Sequence, residues 1–185
     1  MTAMDTFPED EKRWFMHIGY LAQNWAGVET TLDGIVRQLH VHYGGQKFEL
    51  TPPQAFKRKR TFIRKAFADR PELAEHTGWL ETLLATATRL AEIRHWALHG
   101  GWVAEGSTTV TLNRYSKDDP LKWEQQKFTL DELYAAGEEC AGLVLMLTWF
   151  GQVAFGIMTK EQLIESLGEL GSKIGVPLPS DDPAD

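Results

Sequence analysis

Between about Glu9 and His42 the apolar residues Trp14, Ile18, Leu21, Trp25, Val28, Leu32, Ile35 and Leu39 recur at alternating steps of four and three, with polar residues between them. That period marks one long amphipathic helix with a continuous apolar stripe, which Gly44-Gly45 brings to an end. The stripe suits the core of a helical bundle, although a heptad this sustained can also seat a partner chain. Thr51-Pro52-Pro53 offers a cap and an early-helix proline for a second helix over roughly Gln54 to Phe67, with Phe56, Ile63 and Phe67 facing inward. A third helix is expected from near Pro71, after a break at Asp69-Arg70. It runs through Leu73, Leu80, Leu84, Ala87 and Ala91 to Arg94–His99, and Gly100-Gly101 stops it.

From Trp102 to Phe128 the period changes to two: Val110, Leu112 and Arg114 alternate with Thr109, Thr111, Asn113 and Tyr115. This predicts a β-hairpin turning at Ser116-Lys117-Asp118-Asp119-Pro120 and returning through Leu121 to Phe128, laid against the helices because a lone hairpin is marginal in water. Thr129-Leu130-Asp131-Glu132 has the spacing of a capping box and opens a fourth helix reaching about Phe155; Thr159-Lys160-Glu161-Gln162 repeats the device for a short last helix. The expected fold is mainly α, a bundle of four to five helices with an inserted hairpin at about 102–128. It forms a single domain over 5–171, followed by a polar, proline-rich tail at 172–185 expected to be disordered.

Composition narrows the class without naming a function. The 185 residues are 43% hydrophobic and 24% charged, close to globular averages, and the single cysteine, Cys140, sits among apolar residues, which fits a reducing compartment and a buried thiol. Met1–Asp5 lacks the layout of a secretory signal, so a cytoplasmic location is expected. Cys140 to Met158 carries no charge and is about long enough to cross a membrane, but its glycines, Thr148 and Gln152 fit a core helix or a dimer face better.

The formal charge is −7, which disfavours diffuse attraction to a polyanion, so a nucleic-acid surface has to be local. Lys57, Arg58, Lys59, Arg60, Arg64 and Lys65 gather six of the nineteen basic residues on the second helix, interleaved with Phe56 and Phe62. They form a candidate RNA-binding patch, or a solvated basic face balanced by acidic neighbours.

The chemically suggestive segment is Arg94-His95-Trp96-Ala97-Leu98-His99. His95 and His99, four apart, share a helix face, whereas Arg94 and His99, five apart, lie about 140° around the axis. They meet only if the helix unwinds at Gly100 or the long Arg94 side chain wraps around the last turn. The helix end favours a cationic His99 while a nearby guanidinium opposes it, and histidine is the side chain suited to moving protons near neutral pH. The same residues also have a purely structural reading, because basic side chains often complement the last carbonyls of a helix. Paired histidines can chelate zinc, but Trp96 stands where zinc proteases place glutamate and no third ligand is evident; no metal or other cofactor is expected.

The segment resembles the motif of HEPN domains: an arginine, a polar residue (here His95), three residues, and a histidine, at the end of a long helix and followed here by Gly100-Gly101-Trp102. Active HEPN proteins are metal-independent endoribonucleases, usually homodimers whose paired motifs line a shared cleft. The resemblance implies that Arg94 holds the phosphate, His99 is the acid–base residue and His95 tunes or orients the site. It also implies an RNA or nucleotide ligand and a toxin or defence effector, with a cognate antitoxin as a possible partner. The alternative it leaves open is a non-catalytic HEPN-like dimerisation or nucleotide-binding module.

Overall fold

The computed structural model describes residues 8–104, 108–116, 119 and 121–174. Among these residues five α-helices build one core: α1 (Glu9–His42), α2 (Phe56–Ala68), α3 (Thr77–His99), α4 (Leu130–Ala154) and α5 (Lys160–Ile174). Between α3 and α4 lies an antiparallel sheet of β1 (Gly101–Ala104), β2 (Thr109–Tyr115) and β3 (Trp123–Thr129), in the order β1-β2-β3.

The stripe of α1 does what its period requires. Trp14, Leu21, Trp25, Val28, Leu32, Ile35 and Leu39 are all buried, Ile18 partly so, and the helix ends where Gly44 turns left-handed at φ 70°. Its principal partner is α4. Tyr20 lies beside Gly137 and Glu138, Gly27 beside Val144, and Ile35 beside Gly151, so the two helices run in the same direction. Close approach is possible because Gly137 has no side chain: a Cβ there would stand 2.5 Å from the Tyr20 ring. Parallel neighbours cannot be joined by a short turn. The chain therefore returns through α3, which runs back along α4 from the Trp79–Phe150 ring contact to the Arg89–Glu139 ion pair.

Three expectations need correction. The second helix is not capped by Thr51: residues 51–55 stay outside it, the N-cap is Ala55, and no side chain caps the end. The residue before a proline is pushed towards extended backbone, and here the chain stays extended until Phe56 meets Trp25, ring centroids 5.2 Å apart. The hairpin is in fact three-stranded, because Gly101–Ala104 leaves α3 directly as an edge strand paired Trp102 to Leu112 and Ala104 to Val110. The helix after Thr159 extends to Ile174, into the segment expected as tail. Lys117, Asp118 and Pro120 of the expected turn, and residues 175–185 of the tail, lie outside the described residues.

Both predicted caps form. The Thr129 hydroxyl accepts from the Glu132 N–H at 3.1 Å while the Thr129 N–H donates to the Glu132 carboxylate at 2.7 Å; Thr159 and Gln162 do the same for α5. Among the described residues no helix is long and apolar enough to cross a membrane. The uncharged run from Cys140 instead supplies Cys140, Leu143, Leu147 and Phe150 to the core.

Thr129→Ala is expected to lower unfolding free energy by about 1 kcal/mol, read from the urea midpoint, since it removes the oxygen that satisfies a first-turn N–H. Burial, with Glu139 adding to it, pushes the Cys140 thiol up to about 11. At pH 8 the thiol is therefore protonated as well as enclosed. It should resist Ellman's reagent in the native protein and react at once in 6 M guanidinium; rapid native labelling would contradict the buried placement.

Candidate functional site

Helix α3 stays α-helical through His99, and the Gly100 N–H still bonds the Trp96 carbonyl at 2.9 Å. The helix does not unwind, so of the two routes by which Arg94 can meet His99 only the wrapping side chain remains. Five residues span about 7.5 Å along the axis. Arg94 covers that distance and places Nη1 3.5 Å from His99 Nε2. This is long for a hydrogen bond. A guanidinium has no lone pair to offer, so any hydrogen bond here has Arg94 donating and Nε2 accepting, with the imidazole proton on Nδ1. His95 lies where an i, i+4 partner should, its ring centroid 4.9 Å from that of His99. His99 is exposed, Arg94 and His95 are half-buried, and Arg94 Nε is buried without a hydrogen-bond partner.

The turn after the motif is tight. Gly100 has an ordinary extended backbone, but a Cβ there would meet the Trp96 carbonyl oxygen at 2.8 Å and the Leu112 Cβ at 3.1 Å. The absence of a side chain lets β2 close against the end of α3. Arg114 fastens the same joint from the strand. Its guanidinium lies 3.7 Å from the centroid of the Trp96 ring, and bonds Glu92 at 2.6 Å and Glu124 at 3.3 Å. Sequence reasoning missed this role, although an arginine at the third position of the otherwise apolar face Val110, Leu112, Arg114 was the available signal.

The six basic residues of α2 divide. Lys59 falls on the inward stripe with Phe62, Ile63, Ala66 and Phe67; it is 3% exposed and pairs with Asp33 at 2.6 Å. Arg58 pairs with Glu49 at 2.6 Å, and Arg64 makes a forked contact with Glu81 that raises the guanidinium and lowers the carboxyl from their ordinary values. Lys65 is exposed and makes none of the ion pairs found among the described residues. Phe62 is buried in the core, while Phe56 is half-buried against Trp25.

Lys57 and Arg60 turn towards the motif. Together with Arg94 and His95 they line a hollow of about 320 Å³ between α1, α2 and α3, which Glu29 and Glu92 also border. Arg60 lies over the Phe56 ring at 4.9 Å, donates to the Thr88 hydroxyl, and has a buried, unpartnered Nε; burial, then the charge of Arg64, pushes its guanidinium down. His99 does not line the hollow; Arg94 and His95 line it and also touch His99. A larger hollow of about 760 Å³ lies between α3, β3 and α4 over Trp96 and Phe128. Of its charges, Arg89 pairs with Glu139, Glu92 with Arg114, and Glu132 caps α4; no histidine lines it. No three His, Cys, Asp or Glu side chains gather into a metal-ligand set among the described residues.

Gly100→Ala is expected to destabilise the fold by about 1–3 kcal/mol, because the added methyl meets a backbone carbonyl that cannot simply rotate away. An unchanged melting temperature would show that α3 and β2 are not so closely joined.

Comparison with family models, with curated proteins and with solved structures finds no match for the chain.

Proposed function

We propose that this protein is an HEPN-like, metal-independent endoribonuclease in which Arg94 and His99 act on one phosphodiester. The observation that carries the reading is the convergence of the two groups, 3.5 Å apart although five residues separate them on a regular helix. Mere decoration of a helix end does not require that the arginine fold back onto the histidine ring.

The chemistry follows from what each group can do. The 3.5 Å contact is long, so Arg94 turns from His99 to the phosphate when RNA binds, which frees the Nε2 lone pair of His99. His99 takes the proton of a ribose 2′-hydroxyl, whose oxygen attacks the adjacent phosphorus; the bond from phosphorus to the 5′ oxygen breaks, and that oxygen takes a proton from water. The products are a 2′,3′-cyclic phosphate and a free 5′-hydroxyl, and His99 later returns its proton to solvent. Charge builds on the non-bridging oxygens during attack, and the Arg94 fork meets it there. His95, packed against the His99 ring, limits the orientations that ring can take. On this reading two copies pair about a two-fold axis, so that two such sites face one cleft.

The test is purified protein incubated with single-stranded RNA in EDTA, beside Arg94→Ala and His99→Ala. Cleavage with cyclic-phosphate ends, reduced at least about 100-fold in each variant, is the expected result. Equal cleavage by all three proteins would identify a contaminant and remove the proposal. Saturable nucleotide binding without cleavage supports instead the non-catalytic module, which the internal pairing of Arg58, Lys59 and Arg64 favours by reducing the free basic surface.

A further inference from the structure

We propose that the hollow between α2 and α3 is a second phosphate subsite, in which Lys57 and Arg60 hold the phosphate neighbouring the one at Arg94 and His99. The inference rests on the ribonuclease reading for the identity of the strand, but the anion site itself is argued from charge and burial.

The first argument is the missing counter-charge. Three of the six basic residues on α2 already have carboxylates: Arg58 has Glu49, Lys59 has Asp33 and Arg64 has Glu81. Lys57 and Arg60 make no ion pair with a described carboxylate, and both line the hollow with Arg94, whose described polar partner is a histidine. Glu92 borders the same space but is engaged by Arg114 at 2.6 Å, which leaves Glu29 as the carboxylate set against three cations. A partly buried guanidinium loses hydration, and a charge-assisted bond to an anion compensates that loss more strongly than neutral acceptors do.

The second argument is preorganisation. Arg60 is held from two sides, by the Thr88 hydroxyl and by the Phe56 ring, so its remaining donors are fixed before any ligand arrives. Phe56 and Lys57 form the first turn of α2, whose N-cap Ala55 has no side-chain oxygen, so the positive end of that helix dipole lies on the same side. The third argument is continuity. Arg94 lines the hollow and also touches His99, so anions in the two places share one guanidinium, as successive phosphates of a strand would. A volume of about 320 Å³ is at the small end for ligand sites, enough for one nucleotide unit and too small for a folded partner.

Thymidine 3′,5′-bisphosphate is the probe, because it carries two phosphates and lacks the 2′-hydroxyl that cleavage needs. Calorimetry in EDTA on the full chain compares it with thymidine 5′-monophosphate and inorganic phosphate. The bisphosphate should bind at least tenfold more tightly than either. Lys57→Gln and Arg60→Gln should each weaken it at least fivefold, while Lys65→Gln, an exposed lysine of the same helix outside the hollow, leaves it unchanged. Lys57 is itself exposed, so its substitution guards against a folding defect in Arg60→Gln. Equal weakening by Lys65→Gln would mean diffuse attraction, equal affinity for inorganic phosphate would mean a free-anion site, and no effect of either subsite variant would mean no site; each overturns the proposal. If RNA is not cleaved but bisphosphate binding still depends on Lys57 and Arg60, the subsite stands and the nuclease reading falls. If RNA is cleaved equally well by parent, Lys57→Gln and Arg60→Gln and none differs in bisphosphate binding, the nuclease reading stands and the subsite falls.

Discussion

The seam between α1 and α4 governs the arrangement. An apolar stripe running along the 34 residues of α1, which that helix cannot bury alone, finds its cover in a helix that runs the same way, and Gly137 lets the two backbones draw together around Tyr20. Because the pair is parallel, everything between them has to carry the chain back to its starting end. Helix α3 makes that return along α4, and the sheet takes up the remaining distance to Thr129. The end of α3 is thereby delivered beside the Trp25–Glu29 stretch of α1 and the first turn of α2. The candidate site is thus a consequence of topology: three helices meet there because a parallel seam needed a long return.

Elements with a clear period were legible. The stripe of α1, the two capping motifs and the alternation through β2 each report local geometry, and local geometry repeats in sequence. The start of α2 was not legible, because Thr51-Pro52-Pro53 offers a cap and an early-helix proline while its second proline disfavours helix before it, and the helix begins only where Phe56 docks on Trp25. Strand β1 was hidden for a similar reason. Four residues that begin at the second of two glycines carry little periodicity, and what makes them a strand is the edge of β2 that they meet.

The site was partly readable. Spacing alone placed His95 over His99 and left Arg94 on another face; only a side-chain path could bring it across, and no one-dimensional pattern encodes such a path. The basic run on α2 was visible as charge but not as function, since each member's fate depends on what stands opposite. Lys59 illustrates the point: its position relative to Ile63 and Ala66 already put it on the inward stripe, yet the carboxylate that makes burial tolerable, Asp33, comes from another helix. Arg114 is the converse case, a charge on an apolar strand face that proves to tie Trp96 and Glu92 to the sheet.

The bond between Tyr20 and Glu138 joins residues 118 positions apart. Contacts of such separation are slow to find, because much of the chain has to be ordered before they form. During synthesis α1 leaves the ribosome long before α4 exists, and its row of tryptophan, leucine and isoleucine has only the partial cover of α2 and α3 in the meantime. Such an interval favours aggregation or chaperone capture over early folding, so the step that closes the α1 stripe is the arrival of the fourth helix.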